Sequence, residues 1–349
     1  MMSRHLPAEW EPQTAILLTW PHAQGDWGTQ LDAVEHTLLQ ACLHISKHQS
    51  LIIACLDVAH RQTLQQKLNT SGIPTSAYQL YIAPSNDSWT RDHSLISIYS
   101  NQQRVLLDFQ FNGWGNKYPA TCDNQISLQL HQQGAFTENG IDSPLQSKDF
   151  ILEGGSIDSD GCGTLLTTRE CLLAPTRNAG WTQAAIEAYL KKTLGVQRIL
   201  WLEHGGIAGD DTDSHIDMLA RFCNAHTIAY SICEDPQDSH YQPLQQMHEE
   251  LTQFRQSNGE AYQLIPLPLP QALYNQEGQR LPASYANFLI INTAVLLPVY
   301  GDPADKIAHQ RLSLAFPERK IIDIHCRALI EQYGSLHCMA MQLPCGKEV

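Results

Sequence analysis

Basic side chains are scarce in this chain: 22 Lys and Arg stand against 36 Asp and Glu over 349 residues, a formal charge of −14. Such a balance repels phosphate backbones and argues against nucleic acid as a partner. Charged residues make up only 17% and hydrophobic ones 43%, which excludes a disordered chain and leaves enough apolar side chains for a sizeable core. Long hydrophobic runs are missing too. The longest, around Phe288 to Tyr300, is interrupted by Asn292 and Pro298, and it falls short of the roughly 20 residues of a membrane span. Met1-Met2-Ser3-Arg4-His5 leads into Pro7-Ala8-Glu9-Trp10 with no apolar segment of signal-peptide type. The expectation is a soluble, cytoplasmic protein with reduced thiols and no membrane partner.

Spacing excludes several cofactor classes. None of the ten cysteines forms a C-x-x-C pair, so a zinc ribbon or a thioredoxin-like motif lacks support. Most sit in apolar runs, as Cys55 does in Leu51–Leu56, and the nine besides Cys338 read as packing groups, small buried hydrophobes. Glu153-Gly154-Gly155-Ser156 has neither a G-x-G-x-x-G pattern nor a Walker lysine. Gly161-Cys162-Gly163 after Asp160 reads as a hairpin turn between 157–158 and 164–166. Phe111-Asn112-Gly113-Trp114-Gly115-Asn116 suits a loop approaching a ligand closely, and equally an ordinary surface turn.

What is present is a steady alternation of strand-like runs and amphipathic helices. Strands are expected at 15–20, 51–56, 78–83, 196–202 and 320–324, and helices near 30–48, 60–68 and 182–194. Gly195 is placed to stop the last of these, and Asp302-Pro303 to start another that Pro317 closes. The class is α/β, with no low-complexity linker dividing it.

Three polar clusters adjoin these runs: Asn86–Asp92, Glu153–Gly155 and the densely acidic Gly209–Asp217. If 213–217 is extended, Asp213, His215 and Asp217 share one face, supplying an acid/base and a cation-binding group together. The rivals are a solvated acidic loop and a metal site. For zinc, that segment lacks a second His, and calcium's D-x-D-x-D-G pattern is absent. Cys338, beside the Gly334-Ser335 turn, is a thiol that a ligand can reach and a candidate nucleophile in partnership with a distant His.

Taken in order, Pro7–Pro12, Trp20-Pro21-His22, Asn86–Asp92, Phe111–Gly115, Leu152–Ser156, Thr212–Asp217, Ala283–Phe288 and His337-Cys338 resemble the agmatine deiminase family. That family includes the Porphyromonas-type peptidyl-arginine deiminases and belongs to the guanidino-group-modifying superfamily. The resemblance implies one catalytic domain over 1–349, a five-bladed α/β propeller of pseudo-fivefold ββαβ modules. A fifth of the chain is about 70 residues, which suits such a module. It also implies roles: Cys338 as nucleophile, His215 as general acid and base, Asp92 and Asp217 as carboxylates clamping a guanidinium, and Glu153 as a further acid at its edge. Trp89 takes the position of an aromatic lining the pocket. The sequence departs from the family pattern at His93-Ser94-Leu95, at Met339–Gln342 and at Gly209–Thr212.

A guanidinium is planar, always charged and rich in N–H donors, so paired carboxylates can hold it over a thiolate. The implied activity is hydrolysis of agmatine to N-carbamoylputrescine and ammonia through a covalent thiouronium, with no cofactor and no metal. Asp211 is a candidate for the second cation of such a substrate. The alternatives are an arginine or peptidyl-arginine deiminase, a metallohydrolase using the 210–217 acids, and a non-catalytic guanidine- or polyamine-binding protein. The expected partner is a small cationic guanidino compound, and homo-oligomerisation is left open.

Overall fold

The computed structural model describes residues 4–346; Met1–Ser3, part of the N-terminal reading above, and residues 347–349 lie outside the described residues. Five sheets of three or four strands follow one plan. Each has an antiparallel pair followed, after a helical crossover, by a strand parallel to the second member. Ile96–Ser100 and Gln103–Gln110 are followed by Leu145–Ile151, and Ile157–Ser159 and Thr164–Thr168 by Arg198–Leu202. Ala220–Asn224 and Thr227–Ile232 lead to Gln263–Pro268, and Leu289–Ile291 and Ala294–Val299 to Lys320–His325. The fifth sheet joins the ends of the chain. Ala340–Pro344 runs antiparallel to Gln13–Thr19, which is continued by the parallel strands Ser50–Cys55 and Tyr78–Ile82. A parallel return needs a crossover, and helices such as Leu31–Ile45, Gln183–Leu194, Tyr241–Gln253 and Ala304–Ala315 supply it.

The sequence reasons are local. Leu31–Ile45 buries Val34, Leu38, Cys42 and Ile45, one stripe of helical spacing. Thr182 caps Gln183–Leu194 by accepting from the Ala185 N–H, and Gly195 at φ 81° ends it in the left-handed conformation. The apolar run 288–300 is a hairpin turning at Asn292-Thr293, not a continuous segment. Asp160 Oδ1 accepts from Cys162 and Thr164 N–H and fixes the expected 157–166 hairpin. No described helix is long and apolar enough to cross a membrane.

The first strand of each antiparallel pair is entered through a short turn. Asp92 lies four residues before Ile96–Ser100, Gly155 two before Ile157–Ser159, and Asp217 three before Ala220–Asn224. Asn287 lies two before Leu289–Ile291, and Cys338 two before Ala340–Pro344. These entry turns meet: the Arg91 N–H donates to the Cys338 carbonyl at 3.0 Å, Gly155 N–H to Asp92 Oδ1 at 2.9 Å, and Asn287 Nδ2 to the Asp217 carbonyl at 3.4 Å.

Two expectations are corrected here. The 213–217 segment is not extended: Asp213 and Ser214 have φ of 65° and 63°, and Ile216–Met218 is a 3-10 turn. His215 and Asp217 still point inward, but Asp213 turns away to Arg177 and Lys117. The nine cysteines besides Cys338 are not all packing groups either. Cys162 is exposed, and Cys122 and Cys345 are partly exposed. All ten thiols are free.

Candidate active site

A cavity of about 310 Å³ opens over the meeting point of the entry turns, and Cys338, His215, Asp92, Asp217, Trp89 and Trp114 line its inner end. The structure therefore brings together five residues separated by up to 249 positions in sequence with the 111–115 loop. That loop can approach because Gly113 and Gly115 adopt φ of 67° and 87°; a Cβ on Gly115 would stand 2.4 Å from Thr176 Oγ1. Trp114 Nε1 then donates to Asp92 Oδ2 at 2.9 Å.

Both carboxylates are fully buried and oriented. Asp92 uses Oδ1 for the Gly155 N–H and Oδ2 for Trp114. Asp217 accepts His337 Nδ1 at 2.8 Å on Oδ2, while its Oδ1 has no partner. Burial raises Asp92 well above the ordinary carboxylate range, and the like charge of Asp217 adds to this. Burial also opposes ionisation of Asp217, but the His337 hydrogen bond and charge more than offset it, and its pKa is lowered. Two adjacent buried carboxylates without a cation cannot both ionise freely. The site is built to receive positive charge.

Cys338 Sγ lies 3.4 Å from Asp217 Oδ2 and 3.1 Å from Asn287 Nδ2. Burial pushes the thiol up, and Asp217 and Asp92 push it further. His215 is also fully buried, its Nδ1 3.6 Å from Asp92 Oδ1, and neither ring nitrogen has a hydrogen-bond partner. Burial lowers its pKa to about 3, with Arg177 contributing and Asp217 opposing, so the ring is neutral in this state. Of the unpartnered atoms, Asp217 Oδ1 and whichever imidazole nitrogen carries no proton are acceptors that a donor-rich planar cation would satisfy.

Space for that cation depends on Gly155. A Cβ there would stand 2.7 Å from both Asp92 Oδ1 and His215 Nδ1 and 3.1 Å from Asp217 Oδ2. Glu153 is beside this point but does not line the cavity. Its carboxylate takes two bonds from Arg177 Nε, at 2.9 and 3.0 Å. Burial raises its pKa and Arg177 lowers it. Arg177 also bonds Asp213 Oδ2 at 2.5 Å and the Thr212 carbonyl at 2.8 Å, so it shapes the 212–217 turn. Sequence reading missed Arg177, and nothing around it in sequence signals the role.

The other missed residues form a layer behind Asp217. His337 bridges Asp217 and Glu9, whose Oε1 is 2.8 Å from Nε2. Glu9 also pairs with Arg91 at 3.2 Å and Arg221 at 2.5 Å. Glu9, Asn287 and His337 lie inside the motifs quoted above, and that proximity was the available signal. Among the described residues, Glu153, Cys171 and His215 form a trio whose ligand atoms lie within 4.8 Å of one another. The Arg177 guanidinium already on Glu153 places a cation where a metal would need one, so the trio fits a metal poorly.

Of the remaining predicted residues, Trp89 lies against the cavity, its ring packed so closely on Gly334 that a Cβ there would meet it at 2.3 Å. Asp211 lies in the outer part and accepts from the Tyr118 hydroxyl at 2.7 Å, while its carbonyl takes Lys117 Nζ at 2.5 Å. Asp26, Asp87, Asp210 and Glu331 line the same outer region, and among the described residues no Lys or Arg lines the cavity. Burial, reinforced by nearby Asp26, raises Asp87 to about 6.

Solved structures of similar fold include a Cys-to-Ser variant of C. jejuni agmatine deiminase with substrate bound. That chain is 37% identical, with a TM-score of 0.91, covering 99% of this chain and 98% of its own. A Porphyromonas gingivalis structure provisionally named an arginine deiminase is 45% identical, with a TM-score of 0.90 and coverage of 98% and 99%. A Vibrio parahaemolyticus relative bearing the provisional name agmatine deiminase is 32% identical over 97% of this chain and 96% of its own. The sequence profile described as Porphyromonas-type peptidyl-arginine deiminase matches residues 5–344, and the chain belongs to that family.

Proposed function

We propose that the protein is a hydrolase that deiminates a guanidino compound, agmatine before others, in one domain over 1–349 whose five sheets are the blades of an α/β propeller. The observation that carries the reading is the convergence of a buried thiol, two buried carboxylates and an unpartnered imidazole at one end of a cavity. Asp92 and Asp217 hold the guanidinium by charge-assisted bonds, and its charge relieves the repulsion that keeps Cys338 protonated. The thiol proton passes to His215. The sulfur then attacks the central carbon, and the C=N electron pair moves to nitrogen. His215 returns that proton to the departing NH₂ group, ammonia leaves, and a cationic S-alkylthiouronium remains. Water attacks next, and His215 takes one of its protons; the other is lost to solvent, where the ammonia already released takes it up as ammonium. Collapse then expels the thiolate and frees the ureido product, and His215 returns its proton to the sulfur, restoring the thiol and the neutral imidazole. Every step uses groups of this chain, the substrate and water.

The outer cavity supports a dication over arginine. Asp26, Asp87, Asp211 and Glu331 would attract a distal ammonium, whereas an α-carboxylate would meet carboxylates and, among the described lining residues, no Lys or Arg. The similarity to the P. gingivalis protein named an arginine deiminase keeps free arginine and arginyl peptides as the second reading. Parallel ammonia-release assays with agmatine, arginine and an arginyl peptide test the choice. The highest kcat/KM is expected for agmatine, and faster turnover of the peptide defeats it.

A further inference from the structure

Asn287 occupies in its sheet the same place that Cys338 occupies in the neighbouring one, two residues before the first strand of an antiparallel pair. Its side chain is fully buried. Two backbone N–H groups converge on its Oδ1, from His337 at 2.8 Å and Cys338 at 3.3 Å. That convergence fixes which end of the amide is oxygen. Its Nδ2 consequently faces acceptors only: Cys338 Sγ at 3.1 Å, Met218 Sδ at 3.2 Å and the Asp217 carbonyl at 3.4 Å. The flipped amide would set donor against donor on one side and lone pairs against sulfur on the other.

This donor stands out because the charged groups closest to the sulfur disfavour its ionisation. Asp217 Oδ2 is 3.4 Å away and Asp92 lies on the same cavity wall. His337, adjacent in sequence, has both ring nitrogens engaged by carboxylates. Resting on the reading of Cys338 as nucleophile, we propose that Asn287 is a catalytic residue whose Nδ2–H donates to the Cys338 sulfur, stabilises its thiolate and aims its lone pair. Asn287 gains and loses no proton. The bond is strongest when sulfur is anionic, before the C–S bond forms and again when the thiolate leaves, and weakest in the neutral-sulfur thiouronium. The residue therefore favours both ends of the covalent cycle.

The test compares wild type with Asn287→Asp and Asn287→Ser. Asp keeps an acceptor for the two N–H groups, removes the donor and adds a charge beside the sulfur; Ser shortens the donor out of reach and adds no charge, so its shift reports the lost bond alone. The readout is the pH dependence of Cys338 alkylation by iodoacetamide, followed on the Cys338 peptide by mass spectrometry, alongside kcat and a thermal melt. A folded Asn287→Asp is expected to raise the alkylation midpoint by about one pH unit or more and to lower kcat about 10- to 100-fold, with Asn287→Ser between it and wild type. An unchanged midpoint in either folded variant overturns the proposal, whatever happens to kcat. Cys338→Ser separates the two levels: residual turnover there defeats the nucleophile reading itself, whereas a dead Cys338→Ser with unmoved Asn287 midpoints defeats only this inference.

Discussion

His337 Nδ1 lies 2.8 Å from Asp217 Oδ2, in a pair buried from solvent on both sides. The same ring reaches Glu9 with Nε2, so a segment near the N-terminus is tied through one imidazole to Asp217, a carboxylate of the proposed guanidinium clamp. Removing the ring leaves a buried carboxylate short of a partner, which costs about 1.5–3 kcal/mol for a charge-assisted bond. His337→Asn is expected to reduce kcat/KM roughly 10- to 100-fold. Steady-state kinetics on agmatine check this, and an unaltered kcat/KM removes His337 from the clamp. Glu9→Gln acts on stability, leaving Arg221 and Arg91 underpaired, and is expected to cost about 3–5 kcal/mol in urea unfolding.

Gly155→Ala separates activity from folding. Its Cβ would crowd Asp92, His215 and Asp217, the groups proposed to converge on substrate, at 2.7–3.1 Å. Misplacing such groups by about 1 Å costs on the order of 100-fold in rate. Circular dichroism should match wild type while turnover falls by at least that factor. Normal turnover would show that the entry turn yields without harm.

Arg177 holds Glu153 and Asp213 together from a fully buried position. Arg177→Leu strands a buried carboxylate, and a loss of about 3–5 kcal/mol is expected. Adding Glu153→Gln removes the stranded charge and should recover part of that loss, which a double-mutant cycle measures. Full additivity of the two changes would contradict the pairing.

Acid stability follows from two buried imidazoles. Burial lowers His93 and His215 to about 3 from an ordinary value near 6.5. Their native pKa lies below the unfolded one, so the unfolded chain binds more protons between those values. Stability then falls as pH drops through 6.5 and continues to fall toward 3. Each group contributes a loss of about 2 kcal/mol by pH 5. His93→Phe, outside the catalytic set, is expected to flatten the pH 7 to pH 5 fall in chemical-denaturation midpoint. A slope identical to wild type rules His93 out.

Much of the fold was legible because its determinants are local. The stripe in Leu31–Ile45 and the Thr182 cap with its Gly195 stop are written within a few residues of the structure they specify. The 213–217 turn was misread because period-two spacing assumes an extended chain. Two left-handed residues are held there by Arg177, more than 30 positions away. Glu153 was assigned to the substrate by resemblance alone, and its Arg177 partner could not be inferred from either segment. Asp211 was named for the second cation of the substrate; it lines the cavity, and the Tyr118 hydroxyl bonded to it comes from another loop.

By itself, the sequence determined the α/β alternation, the scarcity of basic groups and the short polar motifs that precede strands. These are properties of neighbouring residues, set by periodicity, capping and composition. Only the tertiary structure decided which motif residues act on one another. The entry turns of separate sheets meet at one point, where burial and like charge reshape each acid, imidazole and thiol. A carboxamide such as Asn287 acquires its direction there solely from the groups folded against it. Hydrogen bonding and electrostatics act over a few ångströms in space, and no spacing along the chain encodes that distance.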